Sequence, residues 1–87
     1  MNIIPLSVEE AQRFLTKHER HYKAEGQPVF AIGLAGEAVV GAVIVGTKDG
    51  EALLIHIYCD GVSQGYTMLY GAAWRAAKAL GYERMVL

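Results

Sequence analysis

The sequence predicts an α+β fold: a mixed, mostly antiparallel sheet in β-α-β-β-β-α-β order with two packed helices. Three observations predict it. Ser7 and Glu10 form a capping box that opens a helical pattern near the start of the chain. Residues 29–60 form a β-branched, glycine-punctuated run. An alanine-rich helical stretch closed by Gly81 then leads into a last apolar segment, "YERMVL". At 87 residues the chain is one domain, residues 1–87. A domain of this size buries only roughly 60–65% of the surface its unfolded chain exposes, so the core is thin.

Each element has its own justification. "NIIPL" is a short apolar run that Pro5 brings to an end. Val8, Ala11, Phe14, Leu15, His18 and Tyr22 then recur at helical spacing, while Glu9, Arg13, Thr16, Lys17 and Arg20 fill the other face. Gly26 suits a helix C-terminal cap, and Pro28 cannot continue a helix. Three strands of a meander follow, with turns predicted at Ala35-Gly36-Glu37 and Lys48-Asp49-Gly50; the second carries the Asp-Gly signal of a tight hairpin. Glycines 33, 36, 41, 46 and 50 are assigned to strand ends, turns and bulges.

Ser63 is the expected cap of a helix over residues 64–80. Gln64, Thr67, Gly71, Arg75 and Lys78 are placed outward, and Tyr66, Leu69, Ala73, Ala76 and Leu80 inward. The small residues Gly71, Ala72, Ala73, Ala76 and Ala77 allow that helix to approach the sheet closely. A strand, a crossover helix and a further strand make the last strand parallel to its neighbour, with its apolar residues at a sheet edge.

Composition narrows the function. Hydrophobic residues at 53% and charged residues at 20% describe a globular chain. A formal charge of −1 offers no basic field for nucleic acid, although Lys17, Arg20 and Lys23 form a small local cluster. The longest apolar run, "AVVGAVIVG", is far short of the roughly 20 residues of a membrane helix, so no membrane partner is expected. One cysteine and an N-terminus without a basic leader fit a reducing cytoplasm.

The order of elements, together with "LYGAAWRAAKALGYERM", resembles the GNAT superfamily of acetyl-coenzyme A dependent N-acyltransferases. The stretch "YGAAWRAAKALGY" is similar to small bacterial and phage-associated GNAT-like proteins, in which a "DG" turn precedes a comparable helix. In order of elements the likeness covers nearly the whole chain; at the level of residues it covers 53–87. The resemblance implies a chain that stops after the superfamily's fifth strand, before the helix and hairpin that build the acceptor side. It implies acetyl-CoA as cofactor, with the backbone at Ile57 and Tyr58 along the pantetheine arm. The turn of Ser63, Gln64, Gly65, Tyr66 and Thr67 would hold the pyrophosphate. In the superfamily this turn reads Arg/Gln-x-x-Gly-x-Gly/Ala; here, in the register set by Leu69 and Gly81, the three motif positions are Gly61, Gln64 and Tyr66, so the two small residues are replaced by Gln and Tyr. Helix N-terminal N–H groups suit a pyrophosphate on physical grounds.

His56 is the candidate base, because only a neutral amine attacks a thioester. Strand alternation puts it on the face opposite Ile55 and Ile57; the plainer reading is a hydrogen-bonded strand histidine. Cys59 is an acyl acceptor or redox thiol if the neighbouring helix N-terminus lowers its pKa, and otherwise a packed thiol. Tyr58, Tyr66 and Tyr70 cluster at the turn as candidate general acids or as core cover. Trp74 falls between the two helix faces and suits an interface. His18 and His21 have the spacing of two metal ligands, but no carboxylate pattern accompanies them, and no metal is assigned.

Two functions follow. One is a compact N-acetyltransferase acting on an amine or a protein lysine. The alternative is a catalytically inactive GNAT-derived interaction module, phage-encoded and directed at a host protein, or pairing with itself through the last strand.

Overall fold

In the computed structural model of the protein, residues 2–17, 26–60 and 64–86 are described. Their elements run β1 (Asn2–Leu6), α1 (Val8–Thr16), β2 (Gln27–Ala35), β3 (Val39–Lys48), β4 (Glu51–Cys59), α2 (Gly65–Ala79) and β5 (Met85–Val86). The five strands form one sheet in the spatial order β1-β2-β3-β4-β5. The first four pair antiparallel, and β5 pairs parallel to β4, as a strand reached by a crossover helix must.

The local chemistry explains the boundaries. Ser7 Oγ accepts the Glu10 N–H at 3.0 Å, and Glu10 Oε1 accepts the Ser7 N–H at 3.0 Å, which closes the capping box of α1. Between β3 and β4 the chain reverses through Asp49 (φ 54°) and Gly50 (φ 81°), the doubly left-handed turn that the Asp-Gly pair favours. Gly81 (φ 101°) ends α2. Its N–H donates to Lys78 O at 3.0 Å and that of Tyr82 to Ala77 O at 3.1 Å, which satisfies the last carbonyls in a Schellman arrangement.

Alternate residues of the sheet face different helices. Ala11 and Leu15 of α1 pack on Ala31, Ala42, Ile44, Leu53 and Ile55. Leu69, Ala73 and Ala77 of α2 pack on Leu34, Val43, Val45, Ala52 and Cys59. The sheet is therefore the middle of three layers, and each thin half-core depends on one helix.

Three expectations are corrected here. The buried face of α2 is made by Gly65, Leu69, Ala72, Ala73 and Ala77, whereas Tyr66 and Leu80, placed inward by pattern, are 45% and 59% exposed. The N-cap is Gln64, which makes no side-chain capping bond; Ser63 lies outside the described residues. Gly33, Gly41 and Gly46 stand inside strands rather than at their ends. At Gly46 a Cβ would collide with Gln27 O and Ile55 Cδ1, so the glycine serves close packing.

Candidate functional site

The site predicted from the sequence depends on β4. Its register with β3 pairs Ile44 with His56 and Val45 with Leu54, so Ile55 is an extra residue and the strand bulges there. The bulge breaks the alternation. Ile55 packs in the α1 half of the core, and His56, opposite Ile44, follows it to the same side instead of lying across from it. Ile57 then returns to the α2 half, and Tyr58 to the α1 half. His56 is half-buried and its Nε2 atom is buried.

Tyr58 packs its ring against Phe14 of α1, with centroids 6.3 Å apart and planes tilted by 45°. Tyr66 and Tyr70 stand on the exposed side of α2. The three tyrosines predicted to cluster at the turn are thus divided between the two sides of the sheet. Trp74 is half-buried at the margin of the α2 half-core, with Lys78 Nζ 5.4 Å from its ring centroid.

At the carboxyl end of β4 the Asp60 N–H donates to Val40 O at 2.7 Å, and Cys59 is buried beneath the first turn of α2. Gly65 faces this thiol. A Cβ on Gly65 would overlap Cys59 Sγ and lie 3.0 Å from Cys59 Cβ and 3.4 Å from Leu34 Cδ2. The missing side chain at position 65 therefore lets α2 seat on β4, a packing role that its place in the turn sequence does not reveal. Gln64, Tyr66 and Thr67 are exposed, and the first turn of α2 carries no acidic residue.

The β4–β5 ladder covers Ala52 with Met85 and Leu53 with Val86, whereas the β3–β4 ladder runs on to Cys59. Among the described residues, β4 extends past the end of β5 towards the first turn of α2. Arg84 holds β5 in place through Nε and Nη2, each 2.8 Å from Glu51 Oε2, though with Arg84 77% exposed this pair contributes little stability.

His18 and His21 lie outside the described residues. Among those described, no group of three or more His, Cys, Asp or Glu side chains is placed to hold a metal ion. No helix among them is long and apolar enough to cross a membrane. One feature escaped the sequence reading: a depression beside α1 that uses Arg13 and Lys17, which pattern alone assigns to a solvated helix face. No family model matches the chain, and neither a curated protein nor a solved structure matches it.

Proposed function

We propose that the chain is a compact acyl-coenzyme A dependent N-acyltransferase of the GNAT type, acting on an amine. One observation carries this reading. The first turn of α2, with no acidic residue and no side-chain bond from Gln64, stands at the carboxyl end of a bulged β4. The N–H groups of Gly65, Tyr66 and Thr67 head a 15-residue helix, where backbone donors and the helix dipole favour a pyrophosphate. Acetyl-coenzyme A supplies an acyl group activated as a thioester. Ile57 and Tyr58 lie along the strand that would line its pantetheine arm. Gln64 and Thr67 expose side chains that can donate hydrogen bonds beside the turn. His56 would take the proton from the acceptor ammonium, and its place on the α1 side of β4 implies that the acceptor enters from that side.

A second reading has its own support. Tyr66 and Tyr70, 45% and 39% exposed on one side of α2, suit an interaction module directed at another protein.

Thermal unfolding with and without acetyl-coenzyme A separates the two. Ligand at about 100 times its dissociation constant adds roughly 2.7 kcal/mol, and each kcal/mol raises the midpoint of a domain this size by about 4–8 °C. The variant Thr67→Glu is the control. A carboxylate in the first turn complements the dipole and stabilises the unliganded protein by about 0.3–1 kcal/mol, yet it repels a pyrophosphate. A large shift in the wild type that disappears in a more stable Thr67→Glu supports the acyltransferase. No shift in a folded wild-type sample leaves the interaction module.

A further inference from the structure

We propose that the depression between α1 and the sheet binds a small amphipathic acid, a carboxylate carrying a short aliphatic tail. It encloses about 290 Å³ and is lined by Leu6, Glu10, Arg13, Phe14, Lys17 and Val39. That volume lies at the lower end of the range of ligand pockets, which matches a ligand of a few heavy atoms. The inference goes beyond the acyltransferase reading and stands whether or not coenzyme A binds at α2.

The lining has two chemistries. Leu6, Phe14 and Val39 are half-buried and give it an apolar floor, and the Phe14 ring packs against Tyr58. Arg13 and Lys17, one turn apart on α1, are exposed at its margin, and among the described residues neither is ion-paired. The one carboxylate of the lining, Glu10, is drawn towards the amino end of α1, where it accepts the Ser7 N–H at 3.0 Å. Two cations, one of them Arg13 acting on the Glu10 carboxylate, therefore face an apolar floor, and Lys17 is the cation in excess. The charge left over is positive, and a guanidinium beside an ammonium presents enough donors for both oxygens of a carboxylate.

The neighbouring surface shows what sets this depression apart. Arg13 and Lys17 also border a second hollow, which is completed by Glu9, Gln12 and Thr16. That hollow has no aliphatic or aromatic residue in its lining and brings a second carboxylate, Glu9.

The test is a titration of ¹⁵N-labelled protein, read by amide chemical shifts, with hexanoate, hexanamide and inorganic phosphate as probes. Hexanoate is expected to give saturable shifts at Arg13, Phe14, Lys17 and Val39, with hexanamide binding about 10-fold more weakly for want of the charge. Phosphate, lacking a tail, is expected to bind more weakly than hexanoate. The double variant Arg13→Gln/Lys17→Gln alters exposed positions only; it should weaken hexanoate by about 10-fold and leave hexanamide unchanged. Three results overturn the proposal: no saturable shift with hexanoate, equal binding of hexanoate and hexanamide, or phosphate binding as tightly as hexanoate.

Discussion

The contact between Gly65 and Cys59 can be tested by a double-mutant cycle. A methyl group at position 65 would overlap Cys59 Sγ and press on Cys59 Cβ at 3.0 Å, both in the buried α2 half-core. Overpacking of this kind costs about 1–3 kcal/mol, and replacing a helical glycine by alanine returns roughly 0.5–1 kcal/mol. The net for Gly65→Ala is a loss of up to about 2.5 kcal/mol, or a midpoint lowered by up to roughly 20 °C. Cys59→Ala alone removes one buried sulfur and costs about 1 kcal/mol. In the double variant the new methyl enters the space that the sulfur left. The Cys59 Cβ remains close, so relief is partial, and the coupling should favour the double variant by about 1–2 kcal/mol. Urea unfolding followed by far-UV circular dichroism measures all four corners. Additive losses would show that the first turn of α2 is not seated on Cys59 and would undermine the packing role of Gly65.

Other predictions follow from single residues. The Ser7 backbone N–H, then the Ser7 hydroxyl, hold the Glu10 carboxyl below its ordinary value of 4.5; desolvation opposes them, and Arg13 adds a smaller pull in the same downward direction. A depressed folded pKa contributes stability above the ordinary value and loses it as pH falls through the folded one. Wild type should therefore lose stability relative to Glu10→Gln as pH drops below 4.5, and denaturation curves that stay parallel through this window would contradict the capping box. Gly50→Val places a β-branched residue at φ 81° and should cost about 1–3 kcal/mol, whereas Asp49→Gly, at φ 54°, should cost little; similar losses for both would count against the left-handed turn. If His56 is the base, His56→Gln should lower acetyl transfer by about 10²-fold or more while leaving acetyl-coenzyme A affinity unchanged. A rate within a few-fold of wild type removes that role.

The sequence carried its clearest signals where one local interaction decides the structure. Ser7 and Glu10 cap α1, Asp49-Gly50 makes the hairpin, and Gly81 ends α2, because each of these depends on residues a few positions apart. The parallel last strand followed from the crossover. What was hidden depends on tertiary packing. Nothing in "LLIHIYCD" signals that Ile55 is an extra residue opposite β3, and one inserted residue moves His56 to the other side of the sheet. Alanines lie on several sides of α2, so the larger Tyr66 and Leu80 dominate its pattern, although its fully buried positions hold only small residues and Leu69. Gly65 reads as a loop glycine until Cys59 is placed beneath it.

The most direct test of the acyltransferase reading is to titrate acetyl-coenzyme A into ¹⁵N-labelled protein and assign the amides that move. The account predicts saturable shifts at Ile57, Gln64, Tyr66 and Thr67, where the carboxyl half of β4 meets the first turn of α2, and their loss in Thr67→Glu. Shifts that are absent at millimolar ligand, or that are confined to α1, would contradict it.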